Sequence, residues 1–111
     1  MVITLDHVLF KEISKSVRDI YGDNLVSVIV YGSVARNTAT EESDIDVAIM
    51  VKKDDADMYD KWLDVVVKLD LEYDQVITTS LIEEKKFDEW KDIMPYYKNI
   101  QKEGVVLWKA A

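Results

Sequence analysis

The sequence predicts an α+β fold, in which a small mixed sheet of three or four strands is flanked by helices. Two observations support this class. The runs LVSVIVY (25–31) and DIDVAIMV (44–51) are rich in β-branched residues, as expected of buried strands. The segments around them carry apolar residues at every third or fourth position, as in helices that cover a sheet. The predicted order of elements is α-β-β-α-β-α-α.

Length and composition bound the kind of protein. We expect a single domain over residues 1–111, because this length supports one hydrophobic core but not two. A chain that is 49% hydrophobic and 32% charged is globular and not disordered. No apolar run approaches the ~20 residues of a membrane span, and the N-terminus lacks a signal peptide's basic start. We therefore expect a cytoplasmic protein with no membrane partner. The absence of cysteine excludes disulfides and thiolate metal sites.

The charge balance argues against a polynucleotide substrate. The net charge is −8, from 22 acidic and 14 basic residues. Binding to a nucleic-acid backbone requires clustered Lys and Arg, and here the basic residues are scattered among acidic ones. We expect no direct nucleic-acid binding. A cationic small molecule or a basic protein suits this surface better.

The sequence pattern of the N-terminal half predicts two helices, two strands and a short helical turn. Apolar spacing predicts a helix over 5–21, followed by the strand 25–31 and a short helical turn over 33–38. The second strand, 44–51, ends at a charged turn, and residues 56–70 form a helix with a wide apolar face.

The sequence pattern of the C-terminal half predicts a third strand and further helices. EYDQVITT (72–79) has the composition of a strand, and Ser80 is expected to lead into a helix with Phe87 and Trp90 facing inward. Further predicted features are a break at Pro95, a helix that stops at a left-handed Gly104, and a strand or packed tail over 105–108.

Two aspartates at the start of the second strand indicate a metal site. Side chains alternate along a strand, so Asp44 and Asp46 point to the same face, roughly 7 Å apart along the backbone. Two such carboxylates can converge on one or two hard divalent cations, and without a cation they repel each other. Catalysts of phosphoryl and nucleotidyl transfer use metal ions held in this way to clamp the attacking and leaving oxygens.

Gly32 and Ser33, which end the first strand, could form the matching phosphate site. Glycine has no Cβ, so a phosphate can approach the backbone closely, and the N–H groups and the Ser33 hydroxyl can donate hydrogen bonds. Each half of this pattern alone is more often ordinary turn chemistry. The combination of both halves is much less frequent by chance.

Two other motifs fit poorly. In a calcium-binding loop that starts at Asp44, Ile49 would replace the required glycine and Asp55 the required glutamate. Gly32-Ser33 is not a Walker A loop either, because no Gly-Lys-Ser/Thr follows it.

The stretch GSVARNTATEESDID resembles the signature of the nucleotidyltransferase superfamily related to DNA polymerase β. That signature is Gly-Ser, about ten residues, then Asp-x-Asp at the start of the next strand, and here the gap is Val34 to Ser43. Ala35-Arg36 and Ser43-Asp44 are similar to the minimal nucleotidyltransferase (MNT) subgroup, as is the ending PYYKNIQKEGVVLW. The resemblance thus covers nearly the whole chain.

The resemblance implies a set of site residues. Gly32 and Ser33 would hold the phosphates of ATP, the nucleotide donor, while Asp44 and Asp46 would bind Mg²⁺ and act in catalysis. Arg36 either reaches a phosphate from the short helix or forms a salt bridge to a nearby carboxylate, the candidates being Glu41, Glu42 and Asp44.

The family also has a third carboxylate, on a following strand. Asp74 is the candidate here, as catalytic residue and metal ligand, with Glu72 on the same predicted face as the alternative and Asp70 as a third choice. If no carboxylate fills that place, the resemblance leaves activation of the attacking hydroxyl unexplained.

The resemblance also implies a function. Proteins of the minimal subgroup include antitoxins of HEPN/MNT toxin–antitoxin pairs (the MntA type), which adenylylate a tyrosine of a HEPN ribonuclease toxin encoded nearby. We therefore expect a Mg²⁺-dependent transferase that moves AMP from ATP to a hydroxyl of such a partner, alone or in an oligomer. Two alternatives remain open: a catalytically idle module that masks a partner protein, and an aminoglycoside-type nucleotidyltransferase that works as a dimer.

Overall fold

A computed structural model describes residues 2–111. The elements along the chain are α1 (Val8–Tyr21), a 3₁₀ turn (Gly22–Asn24), β1 (Leu25–Tyr31), α2 (Gly32–Ala35), β2 (Ile45–Val51), α3 (Ala56–Tyr73), β3 (Ile77–Glu83), α4 (Glu84–Trp90), α5 (Pro95–Glu103) and β4 (Val105–Lys109). The predicted α+β class is confirmed. Within the described residues, no helix combines the length and apolar character needed to cross a membrane.

The four strands form one mixed sheet in the order β3-β2-β1-β4. β1 pairs antiparallel with both β2 and β4, whereas β2 and β3 run parallel and are joined by α3. The register places Tyr31 of β1 opposite Asp46 of β2, and Asp46 opposite Thr78 of β3. The C-terminal end of β1 therefore meets the N-terminal ends of β2 and β3.

Helices cover both faces of the sheet. α1 and α3 pack on one face, where Trp62 is fully buried and its indole N–H donates to Thr79 Oγ1 at 3.1 Å. The opposite face carries a smaller cluster around Ala48, Ile82 and Ile100, covered by α4 and α5. Near-continuous apolar sequence in β1 and β2 follows from burial on both faces.

The predicted strand over 72–79 is wrong in its first half. α3 continues to Tyr73, because its sequence contains no helix breaker, and it ends at Asp74, which adopts the left-handed conformation with φ of 51°. Aspartate tolerates this conformation better than most residues do. β3 begins only at Ile77, whose N–H donates to the Asp70 carboxylate at 3.0 Å.

Two predictions for the C-terminal half are also wrong. β3 pairs with β2 as far as Glu83, so Ser80 lies within a strand, and Trp90 is 47% exposed instead of facing inward. Phe87 does pack against the smaller apolar cluster, as predicted. Gly104 has an extended conformation with φ of −67°, not a left-handed one. Glycine is needed there for space, since a Cβ would collide with the carbonyl oxygen of Ile100.

Asp55 stabilises the N-terminus of α3 as its N-cap residue. The carboxylate of Asp55 accepts a hydrogen bond from the N–H of Met58 at 2.9 Å and so caps the helix. We expect Asp55→Ala to lower the free energy of unfolding by about 1 kcal/mol, measured by urea denaturation. Asp54→Ala removes an exposed neighbouring charge without a cap and should change stability by less than half as much. Equal losses in both variants would contradict the capping role.

Candidate active site

The turn after β1 is held in a conformation that favours glycine. Gly32 has φ of +74°, in the left-handed region that residues with a Cβ rarely adopt. Its carbonyl oxygen accepts from the N–H of Arg36 at 3.1 Å, and that of Ser33 accepts from the N–H of Thr38 at 2.9 Å. These bonds close the short helix α2 and place the Gly32-Ser33 backbone at the end of the sheet.

The two halves of the Gly-Ser/Asp-x-Asp motif lie against each other. Asp46, the second residue of β2, directs its carboxylate at Gly32, and a Cβ built on Gly32 would overlap Asp46 Oδ2 and lie 3.2 Å from its Cγ. Asp44 is exposed just before the strand and acts electrostatically on Asp46. The absence of a Cβ at Gly32 is therefore what allows the carboxylate to reach the backbone of the turn.

Negative charge is concentrated at this end of the sheet. Burial raises the pKa of Asp46, the Asp44 carboxylate raises it further, and the nearby Arg36 guanidinium opposes the shift. Burial also raises the pKa of Asp70, again with a contribution from Asp44, although the hydrogen bond from Ile77 N–H works in the other direction. Carboxylates in such a field gain from a bound cation.

The donor set suits Mg²⁺ held by a small number of carboxylates. Asp44 and Asp46 offer oxygen ligands, which hard divalent cations prefer. Among residues 2–111, no three His, Cys, Asp or Glu side chains form a group that could hold a metal ion. Mg²⁺ commonly keeps several waters and is bound by one or two carboxylates together with substrate phosphates. Two aspartates beside the Gly32-Ser33 turn fit the carboxylate part of that requirement.

The three candidates for the third carboxylate all lie outside β3. Asp74 is the left-handed residue after α3, and its N–H donates to the carbonyl oxygen of Asp70. Glu72 is an exposed residue of α3, and its position in a helix removes the reason for placing it on the same strand face as Asp74. Asp70, the third choice from sequence, accepts a hydrogen bond at the start of β3 and interacts electrostatically with Asp44.

The strand β3 itself offers no carboxylate beside Asp46. Thr78 occupies the position opposite Asp46 in the parallel register and is exposed. Glu83, the acidic residue of β3, lies at the far end of the strand, opposite Val51. On β3, a hydroxyl and not a carboxylate therefore lies next to Asp46.

Arg36 has a different partner from those predicted. Among the residues that the structure describes, 2–111, its guanidinium forms a salt bridge with Glu103, at 2.9 Å, and not the predicted one with Glu41, Glu42 or Asp44. Glu103 lies 67 residues after Arg36 in the sequence, at the end of α5. This helix packs beside β1. This pairing depends on tertiary structure and has no local sequence signal.

A chain of hydroxyl groups beside Asp46 was missed from sequence. The Tyr96 hydroxyl donates to that of Tyr31 at 3.0 Å, and the Tyr31 and Ser80 hydroxyls are hydrogen-bonded at 3.1 Å. The Tyr31 and Tyr96 rings meet edge to face, with centroids 5.8 Å apart. Burial raises the pKa of Tyr96, which keeps the hydroxyl protonated. Tyr31 was recognisable in principle, since an antiparallel β1–β2 pair places it opposite Asp46.

Known proteins share this arrangement of sequence and fold. The family model described as nucleotidyltransferase domain matches residues 10–107. MJ0604 of Methanocaldococcus jannaschii, a candidate protein adenylyltransferase, is 35% identical over 98 residues, which cover 88% of this chain and 93% of that protein. A second candidate protein adenylyltransferase of the same organism, MJ1305, is 36% identical over 66 residues, covering 57% of this chain and 45% of that protein.

Solved structures share the fold at lower identity. A chain of a toxin–antitoxin complex with AMP-PNP has a TM-score of 0.60 at 20% identity. The match covers 91% of this chain and 73% of that chain. A chain from the complex of tri-AMPylated Shewanella oneidensis HEPN toxin with MNT antitoxin has a TM-score of 0.55 at 18% identity, with coverages of 93% and 71%. A candidate nucleotidyltransferase from Sulfolobus solfataricus has a TM-score of 0.52 at 23% identity, with coverages of 91% and 78%.

Proposed function

Because the chain belongs to the nucleotidyltransferase domain family, we propose that it moves the AMP group of ATP to a hydroxyl of a partner protein. The observation that carries the proposal is the contact between the two halves of the motif, with the Asp46 carboxylate set against the Gly32 backbone. A nucleotide phosphate at Gly32 would thus lie beside oxygen ligands for a cation.

We assign the roles as follows. The Gly32 and Ser33 N–H groups and the Ser33 hydroxyl bind the phosphates, and Arg36 contacts a phosphate after release from Glu103. Asp44 and Asp46 hold Mg²⁺, which when bound would offset the negative charge of the phosphates. Asp46 also orients the nucleotide, because its position is set by the pairing of β2 with β1.

Asp74 stays a candidate for a third role in catalysis and metal binding, together with Asp70. Asp70 lies in the last turn of α3 and Asp74 directly after the helix, both before the start of β3 and at the same end of the sheet as Asp44. Asp74→Asn and Asp70→Asn should be assayed separately. We expect the variant that removes a working third carboxylate to lower kcat, whereas a purely structural residue would change only the free energy of unfolding.

We propose that the acceptor is a tyrosine of a HEPN-type toxin encoded nearby, so that the protein acts as a cytoplasmic antitoxin. Two findings support this choice: relatives carry the name protein adenylyltransferase, and structural neighbours are toxin–antitoxin complexes, one with an AMPylated HEPN toxin. The net charge of −8 agrees with a protein acceptor and opposes direct binding to nucleic acid.

A second candidate function is a masking module that binds a partner without modifying it. Thr78 favours this alternative, because the β3 position opposite Asp46 carries a hydroxyl and not a carboxylate. Masking would tolerate loss of Asp44 and Asp46, whereas transfer would not.

Transfer can be tested with two labelled forms of ATP. The protein is incubated with Mg²⁺ and the product of the adjacent gene, with the label on either the α- or the γ-phosphate. We expect label on the partner from α-labelled ATP only, on a tyrosine identified by peptide mass spectrometry. Label from γ-labelled ATP would indicate phosphorylation and contradict the proposal, and an unlabelled but neutralised partner would support masking.

The role proposed for Arg36 gives a separate prediction. Arg36→Gln should raise the KM for ATP about tenfold, since a charge-assisted hydrogen bond to phosphate is lost. The Arg36–Glu103 pair is 47% and 32% exposed, so its loss should change stability by less than about 1 kcal/mol.

Glu103→Gln is the matched control for Arg36. It breaks the same ion pair but keeps the guanidinium, so the KM for ATP should stay the same or fall. An equal rise of KM in both variants would show that the ion pair, and not a phosphate contact, is what matters.

A further inference from the structure

One face of α1 carries a row of basic side chains. Lys11, Lys15 and Arg18 recur at helical spacing, and all three are exposed. In the part of the chain that is described, residues 2–111, none of the three forms a salt bridge, and Arg18 Nε donates only to the Ser14 carbonyl oxygen, at 3.3 Å. A chain of net charge −8 thus has a locally basic surface on α1.

This basic row lines an open groove between α1 and β4. The groove has a volume of about 440 Å³, and Phe10 and Leu107 contribute apolar surface to it, the former from α1 and the latter from β4. Asp6 is the acidic residue of the lining, and its carboxylate already accepts a hydrogen bond from the Thr4 hydroxyl. The lining therefore combines apolar surface with an excess of positive charge.

The strand beside the groove is an edge of the sheet. β4 pairs with β1 on one side, and within residues 2–111 no strand pairs with its other side. An unpaired edge presents backbone N–H and C=O groups to which another extended segment can bond. On the sheet face away from α1, Val106 of β4 lies opposite Ile29 and is 52% exposed.

We propose that this edge and groove bind an extended acidic segment of a partner protein, added to the sheet as a strand beside β4. Side chains of an added strand would alternate between the two faces of the sheet. Those on one face would meet the basic row of Lys11, Lys15 and Arg18, and those on the other would cover Val106. The segment is therefore one in which acidic residues alternate with apolar ones.

The charges at this edge disfavour other occupants. A second copy of the chain, paired through β4, would bring Lys109 and the two basic rows together with like charge. A polynucleotide would gain from the row but would be repelled by the net charge of −8. An acidic protein segment gains from both the row and the backbone edge. The surface contains none of the proposed transferase residues, so its test is independent of catalysis.

Fluorescence anisotropy with a labelled peptide tests the proposal. The probe is a short peptide of alternating glutamate and valine, and we expect saturable binding to the wild-type protein. Lys11→Glu/Lys15→Glu/Arg18→Glu should weaken this binding at least about tenfold. Lys52→Glu/Lys53→Glu reverses two exposed charges in the turn after β2 and should leave the affinity unchanged. Absence of binding to the wild-type protein, or equal loss in both variants, would overturn the proposal.

Changes in the peptide test strand addition without altering the protein. N-methylation of alternate backbone nitrogens removes donors along one edge and should weaken binding about tenfold, and replacing glutamate with lysine should abolish it. Equal affinity of the N-methylated peptide would contradict strand addition. Displacement of the peptide by a single-stranded oligonucleotide or by inorganic phosphate at similar concentration, or a dimer that the triple variant dissociates in sedimentation, would assign the surface to another occupant and overturn the proposal.

Discussion

Replacement of Asp44 and Asp46 by asparagine should lower the rate of AMP transfer about 1,000-fold or more, while the protein stays folded. The two carboxylates are the ligands proposed for Mg²⁺, and loss of the charge stabilisation that a metal supplies has effects of this order. Asparagine keeps the size of each side chain, so the contact of residue 46 with Gly32 can persist. The measurement is single-turnover transfer of label from α-labelled ATP to the partner protein.

Asp54→Asn/Asp57→Asn is the matched control for this variant. It changes the net charge by the same amount, but Asp54 and Asp57 lie beyond the C-terminal end of β2, away from Gly32. We expect transfer within about twofold of the wild type, since surface charges at this distance are screened by salt. A comparable loss in the control would show that net charge, and not the metal site, is responsible.

Asp46→Asn alone should increase the free energy of unfolding near neutral pH. The pKa of Asp46 in the folded protein is raised above its ordinary value of 3.8, so the ionised carboxylate opposes folding. This cost is absent at pH values below 3.8 and develops as the pH rises through the raised pKa. In the presence of a chelator, Asp46→Asn should therefore unfold at higher urea concentration than the wild type at about pH 7, and at the same concentration at about pH 3.

Gly32→Ala should strongly reduce transfer and destabilise the protein. A Cβ at position 32 would overlap the Asp46 carboxylate and would also sit on a backbone with φ of +74°. The backbone strain alone costs about 1–2 kcal/mol, and the carboxylate must move away from the turn. We expect transfer to fall at least about 100-fold, because a displacement of about 1 Å in a catalytic site has this effect.

Gly22→Ala is the control for Gly32→Ala, because it introduces strain in the backbone without a steric clash of the added Cβ. Gly22 also has positive φ, 52°, but a Cβ there would meet no atom within 4 Å. This variant should lose about 1 kcal/mol of stability and keep wild-type transfer. Equal transfer by the two alanine variants would contradict the argument that the space above Gly32 is part of the site.

The fold and the centre of the site were predictable where local patterns determine the structure. The β-branched runs correctly predicted β1 and β2, whereas the placement of Asp44 and Asp46 on one face stays a prediction, since β2 begins only at Ile45. The contact of Asp46 with Gly32 follows from antiparallel pairing of neighbouring strands across a short connection. These features depend only on the local sequence and on the pairing of two consecutive strands.

Features that depend on tertiary context were not predictable in the same way. The start of β3 was misplaced because Asp74 ends α3 by adopting a left-handed conformation, which composition alone does not indicate. The partner of Arg36 is contributed by α5, far along the chain. The basic residues of α1 appear scattered in the sequence, and only the helix brings Lys11, Lys15 and Arg18 to one groove beside an edge strand.

The intact mass of the partner protein tests the central claim most directly. The product of the adjacent gene is incubated with ATP and Mg²⁺ and either the wild-type protein or the Asp44→Asn/Asp46→Asn variant. The proposed function predicts that the partner gains the mass of one or more AMP groups with the wild-type protein and none with the variant. A partner whose mass stays unchanged with the wild-type protein, or increases equally with both, would contradict AMP transfer by the site at Gly32 and Asp46.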